Sequence, residues 1–300
     1  MTALVIGASG QVGGALLAAL HAAGQAVVGT SWAHPQAHLR TLDIRDAAAV
    51  RRCVEETAAQ VVYVPASLTN VDYCELHPEE SFASNVASVR HLAACGVRLV
   101  YFSSDYVFAG DRGPYRETDP VGPLCVYGQH KLLAEQSAGA DALIIRTTVV
   151  YGPEVQGKNF IYRLRSVLGD GKTLTVPVDQ VGSPTYGPNL AQAAVALERK
   201  GATGVYHVAG PQRISRYELA REAAVVFGLD PALVRPVTTA ELKQPAARPL
   251  DAGMICDKAQ AELSFPPISY GEGLQLMRAE LGGVGELHKM AAAGVASRSA

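Results

Sequence analysis

The feature that most limits what this chain can fold into is a glycine-rich turn set between two hydrophobic patterns of different period. Ala3-Leu4-Val5-Ile6 is a continuous apolar run, whereas Val12, Ala15, Leu16 and Leu20 recur at helical spacing, and Gly7-Ala8-Ser9-Gly10-Gln11-Val12-Gly13 joins the two. Such a strand-to-helix turn is crowded and electropositive. Gly7 permits the tight turn, Gly10 lets a pyrophosphate approach the backbone, Gly13 lets the helix pack on its strand, and the first helical N–H groups are free to receive phosphate oxygens. A glycine pattern alone also fits a plain loop ahead of a small-residue helix. Its place directly after the first strand turns the reading towards a dinucleotide.

Further apolar runs at 26–29, 61–64, 99–102 and 143–145 alternate with helical patterns near 12–23, 46–58, 79–94 and 125–138. Strands apolar along their whole length, alternating with helices, imply a parallel sheet covered on both faces, and right-handed crossovers make it doubly wound. The expected class is therefore α/β, a doubly wound parallel Rossmann sheet with a smaller C-terminal substrate-binding lobe. The rhythm breaks after Tyr151-Gly152-Pro153, where Gly157, Gly169, Gly171, Pro177, Gly182, Pro184, Gly187 and Pro188 crowd the chain. This gives an expected dinucleotide-binding domain over 1–151, its sheet completed by later segments, a smaller lobe over 152–281, and a frayed tail over 282–300.

Charge narrows the function. A net charge of -2 with 18% charged residues leaves no electrostatic footprint for nucleic acid. No apolar run nears the roughly 20 residues that span a bilayer, and no basic n-region precedes the first strand, so no membrane partner and a cytoplasmic location are expected. The five cysteines, Cys53, Cys74, Cys95, Cys125 and Cys256, are odd in number and far apart, which suggests neither a disulfide framework nor a metal site.

A second motif carries chemistry. Tyr127 and Lys131, in Tyr127-Gly128-Gln129-His130-Lys131, lie four apart on a helix and share a face. An ammonium beside a phenol lowers the phenol's pKa from about 10 towards neutrality, giving a group that exchanges a proton with a substrate oxygen. The same spacing also occurs on solvated helix faces. Ser103-Ser104, at the end of Leu99-Val100-Tyr101-Phe102, raises this instance, because doubly wound sheets bind ligands at the carboxyl ends of their strands. A serine there can hydrogen-bond the oxygen that tyrosine protonates, although serines also cap turns.

The glycine motif, Ser103-Ser104-Asp105-Tyr106-Val107-Phe108 and Tyr127-Gly128-Gln129-His130-Lys131 together resemble the extended short-chain dehydrogenase/reductase superfamily, and within it the dTDP-4-dehydrorhamnose reductase group. Similar segments continue at Thr69 to Glu75, Arg146-Thr147-Thr148, Asp179 to Thr185 and Arg248-Pro249, so that the resemblance runs to about residue 280. It implies Ser104, Tyr127 and Lys131 as the catalytic set, with Lys131 also holding the nicotinamide ribose. Gln11, Val12 and Ser103 would join the glycines at the cofactor, with Asp43 and Ile44 beside the adenine, Pro65 and Ala66 along the cofactor, Asp105 on the substrate side and Asn85 as a structural or relay residue. One position departs from the group. Where its members place a sugar-lining tryptophan, this chain has Val149.

An acid near the end of the second strand normally holds the ribose 2′-hydroxyl of NAD. The segment Gly29-Thr30-Ser31-Trp32-Ala33-His34 has none, and Thr30, Ser31, His34 and Arg40 could meet a 2′-phosphate, so NADP(H) is favoured with NAD(H) left open. Three functions stay in view: a reductase acting on a nucleotide-linked deoxysugar, a nucleotide-sugar epimerase or dehydratase, and a non-catalytic subunit resembling the methionine adenosyltransferase β subunit. Tyr106 after Asp105, where dehydratases place Glu, argues against elimination. The expected partner is a small-molecule nucleotide sugar, with a homodimer left open. Its diphosphate needs a cation, for which Arg248 is preferred, with pairing to Asp251 as the alternative use and Lys158, Arg163 or Arg213 next in line.

Overall fold

In the computed structural model, which describes residues 1–282, the apolar runs form a seven-stranded sheet. Its strands are β1 (Thr2–Val5), β2 (Ala26–Ser31), β3 (Arg40–Thr41), β4 (Val61–Val64), β5 (Arg98–Ser104), β6 (Leu143–Thr147) and an edge strand, Gly204–His207. The order runs from the edge strand through β6, β5, β4, β1 and β2 to β3, with every pair parallel. From β1 the chain builds outward to β2 and β3, then returns to β4 and builds the other way. The crevice between β1 and β4 is thus the switch point at which such sheets bind ligands.

Alternation along each strand divides the core. Val5, Tyr63 and Val61 pack with Leu16, Leu20, Leu190 and Ala194 on one face, while Leu4, Val62 and Leu99 pack with Val50, Val54 and Leu92 on the other. Helix α1 (Gln11–Ala22) covers the first face together with the helix Gly187–Arg199. Sequence beyond residue 152 therefore returns to the central sheet, through that helix and the edge strand, whose Gly204 to His207 pair with Leu143 to Arg146.

The remaining lobe has its own core. Tyr151, Ile161, Leu164, Leu168, Leu219, Val234 and Met277 meet between the helices Phe160–Gly169 and Arg216–Val226 and the parallel pair Leu174–Pro177 and Val234–Val237.

Two strands of the central sheet and one helix interruption are absent from the sequence reading. β3 is two exposed residues and the edge strand sits in a glycine-rich stretch, so neither shows a strand period. The pattern near 79–94 is one continuous ridge only in part: Pro78–Phe82 and Ser88–Ala93 flank a π-helical turn, Ala83–Ala87, that carries Asn85. No described helix is long and apolar enough to cross a membrane, and the described residues contain no group of metal ligands. All five cysteines are free thiols. The expectation of a frayed tail falls, beyond residue 282, outside the described residues.

Candidate active site

The glycine turn has the geometry its sequence demands. Gly7 takes a left-handed φ of +75°, and a Cβ placed on it would lie 2.9 Å from that of Ala66, while one on Gly13 would collide with the Gly7 carbonyl oxygen. Thr30 lies inside this turn, its Oγ1 accepting from the Gly7 N–H and donating to Val5 O. Gly10 caps α1 without any side-chain hydrogen bond, so the helix N-terminus keeps its donors for a ligand. Around it the Gln11 amide nitrogen, Ser31 Oγ and Ser103 Oγ are buried without a protein partner. Unpaired polar atoms about a glycine cradle fit a dinucleotide, whose phosphate and hydroxyl oxygens can satisfy them.

Other sequence-derived cofactor residues are otherwise engaged. Arg40 is paired with Glu56 at 2.9 Å, and Asp43 grips Arg45 through both carboxylate oxygens, which holds its pKa below the ordinary carboxylate value. The Ile44 carbonyl faces His91 Nδ1, and Pro65 and Ala66 follow β4 opposite the turn.

At the end of β5 the chain turns through Asp105–Val107, and the helix Val126–Ser137 packs against that turn. Gly128 makes the approach feasible, since a Cβ there would overlap the Tyr106 carbonyl oxygen. The helix is capped by Glu75, whose carboxylate accepts from the Val126 N–H at 2.9 Å, and it is locked to β6 by a buried two-pronged pair of Glu135 with Arg146. Tyr127 stands edge-on to Tyr106, ring centroids 5.4 Å apart, among Cys74, Cys125 and Ala246.

Electrostatics there depart from the sequence expectation. Burial, then the charge of Asp105, pushes the Tyr127 phenol well above its ordinary pKa, with Ser104 pulling the other way. Lys131 does not lower it. Its ammonium is buried, donates to the Phe102 carbonyl at 2.6 Å and to Ser67 Oγ at 3.5 Å, and sits 4.5 Å from the Tyr101 ring centroid. Burial brings Lys131 down to about 7. Behind it Asn85 accepts from Ser67 Oγ and the Leu68 N–H, so the π-turn buttresses the loop that carries Pro65 and Ala66. Ser104 Oγ donates to Asp105 at 2.7 Å and Thr148 Oγ1 donates to the other carboxylate oxygen at 2.6 Å. Burial nevertheless leaves the Asp105 pKa raised.

A cleft opens beside this group, lined by Asp105, Tyr106, Thr148, Val149, Gln180 and Arg216 among others. Val149 holds a left-handed φ of +43°, costly for a β-branched residue, and is fixed there by Thr185, whose hydroxyl donates to the Thr148 carbonyl and whose N–H donates to that of Val149. The structure alters the account of the arginines. Arg248 is closed on Asp72 by both arms, at 2.9 and 2.8 Å, and also donates to the Ala246 carbonyl, while Asp251 is taken by Arg213. Its fork is thus occupied by protein. Arg216, which sequence reasoning passed over, projects towards the cleft above the Phe160 ring, its charge acting on Asp105 and Tyr106. The only signal for it was its place directly after Ser215, the N-cap of a helix.

Fold and site define a dinucleotide-dependent oxidoreductase of the short-chain dehydrogenase/reductase type. Residues 1–282 match the RmlD substrate binding domain, and the chain belongs to that family. It is 38% identical over 260 residues to a dTDP-4-dehydrorhamnose reductase of Streptomyces griseus, covering 82% of this chain and 83% of the relative. A dTDP-4-keto-6-deoxy-D-glucose reductase of Streptomyces niveus is 34% identical, covering 82% and 85%. The crystal structure of dTDP-4-dehydrorhamnose reductase from Bacillus anthracis in complex with NADP superposes with a TM-score of 0.85 at 28% identity, covering 93% of this chain and 99% of that one.

Proposed function

We infer that the chain reduces the keto group of a nucleotide-linked deoxysugar at the expense of NADPH, with Tyr127 as proton donor. The observation that carries this reading is the buried Tyr127 phenol, packed against the turn that follows β5, beside a cleft lined by Asp105 and Thr148, with Ser104 hydrogen-bonded to Asp105. A reduction needs a proton for the new alkoxide, and a phenol whose pKa is raised still holds that proton at neutral pH. The glycine turn and the N-terminus of α1 would hold NADPH at the switch point, and the bound cofactor would supply the hydride. The Ser104 hydroxyl, on turning from Asp105, would donate to the carbonyl oxygen and direct it towards Tyr127, and Lys131, near its own pKa at neutral pH, would offer an ammonium to the ribose.

For the nucleotide's diphosphate Arg216, which has no ion-pair partner among the described residues, replaces Arg248 as the preferred cation. Relatives named for two different 4-keto sugars, and Val149 at a sugar-lining position, direct the search to dTDP-4-keto-6-deoxy sugars as a class. The decisive assay offers such a sugar with NADPH. Stoichiometric loss of NADPH supports reduction, conversion of the sugar without NADPH loss means epimerase or dehydratase chemistry, and inertness with tight protein binding means a regulatory subunit. Free thiols accord with a reducing, cytoplasmic setting, and light scattering decides whether the chain forms a homodimer.

A further inference from the structure

The segment from Gly152 to Asn159 leaves the sheet, crosses to the cofactor side and returns to start the helix Phe160–Gly169. It is closed on itself: the Asn159 amide donates to the Gly152 carbonyl at 2.9 Å, the Glu154 carboxylate accepts from the Lys158 N–H, and the Tyr162 hydroxyl donates to the Glu154 carbonyl. Two of its side chains reach residues more than 120 positions away. Gln156 donates to the Ser9 carbonyl at 2.9 Å, on the phosphate turn, and Lys158 Nζ lies 2.8 Å from His34 Nε2, just beyond β2.

Two nitrogens that both favour positive charge gain little from each other. At 2.8 Å the lysine can donate only to a neutral imidazole, whereas an anion between them would accept from both. In this fold the residues just past the second strand meet the adenosine ribose. Here that place holds no acid, Arg40 makes an exposed ion pair with Glu56, and Thr30 is hydrogen-bonded within the glycine turn.

We propose that Lys158, carried on this strap from the substrate lobe and paired with His34, binds the 2′-phosphate of NADPH and sets the preference for the phosphorylated cofactor. The proposal rests on the reading of NADPH as the cofactor. The strap runs directly into Phe160, over which Arg216 stands, so the residue that selects the cofactor and the residue offered to the diphosphate share one support.

Trp32, the sole tryptophan, lies two residues from His34 and reports binding without turnover. Its fluorescence would be titrated with NADPH, NADH and adenosine 2′,5′-bisphosphate in the wild type, Lys158→Ala and Lys158→Arg. Loss of one charge-assisted contact should weaken NADPH and the bisphosphate roughly 10- to 100-fold in Lys158→Ala and leave NADH unchanged, with Arg restoring most of the loss. Unchanged NADPH affinity, or equal weakening of NADPH and NADH, would overturn the role of Lys158. A wild type that binds NADH but not NADPH would overturn the cofactor reading itself. Lys158 is exposed, so its removal should leave the circular dichroism spectrum and melting temperature as they were.

Discussion

The cofactor cradle and the substrate cleft lie side by side but are made of different material. The cradle is built mostly from backbone: the turn of Gly7 to Gly13, the free donors of α1 and the carbonyl of Phe102 that holds Lys131. The cleft is built from side chains that converge from five stretches of chain, at 105, 148, 180, 216 and 249. Backbone geometry tolerates changes of neighbouring side chain and serves any dinucleotide. A side-chain cleft can change its sugar by changing one residue, as Val149 suggests, without disturbing the hydride and proton chemistry.

The largest effect expected tests whether the two halves are separable. Tyr127→Phe should cut turnover about 10²- to 10⁴-fold while NADPH affinity by titration stays near wild type. A variant with most of its activity would take Tyr127 out of the chemistry, and one that no longer binds NADPH would join the halves into one unit.

Next come two arginines that sequence alone does not tell apart. Arg216→Ala should raise the KM for the sugar nucleotide about tenfold with kcat and melting temperature little changed, as for loss of uniform binding. Arg248→Ala should act on stability, because it strands Asp72. Burial pushes the Asp72 carboxyl up, but Arg248 and the Ala246 N–H outweigh that and hold its pKa below the ordinary value. With the Arg248 side chain 9% exposed and that of Asp72 30%, the loss should be about 1–3 kcal/mol, a drop of several degrees in melting temperature. The reverse assignment of KM and stability effects would return the diphosphate to Arg248.

The smallest effect is a pH dependence on the cofactor side. Burial holds the Lys131 ammonium at about 7 against an ordinary lysine value of 10.5. If its protonated form holds the ribose, NADPH binding is strongest below pH 7 and weakens as the proton is lost above it, by at most about tenfold per pH unit. Titrations at pH 6 and 8.5 should show the loss, and Lys131→Met should flatten it. A wild type with no change across this range would leave Lys131 as a structural residue only.

Legibility followed the same division. The turn at Gly7, the Tyr127 and Lys131 pair and Ser104 were readable because each sits within a few residues of a periodic element whose face it must share. The direction of the Tyr127 shift was not, because proximity along a helix says nothing of burial, and Lys131 turned to Phe102 and Ser67. Arg40, Arg248 and Lys158 carry equal charge in the sequence, and only their distant partners, Glu56, Asp72 and His34, give them different uses. Gln180 and Arg216 reach the cleft through the lobe's packing, which no local pattern encodes.

The return of Gly187 to His207 to the sheet bears on how the molecule comes into being. Leu16 and Leu20 of α1 meet Leu190 and Ala194, and β6 finds its outer neighbour only when residue 207 has been made. During synthesis the first 151 residues thus emerge with one flank of their sheet uncovered and one edge unpaired, a state that invites association with other chains. Part of the substrate lobe, Phe160–Gly169 and Leu174–Pro177, is made before that flank is closed, and the rest of the lobe follows it. Completion of the nucleotide-binding sheet is consequently a late, long-range event, and a cut between the two activities by sequence position would yield a fragment lacking its own wall.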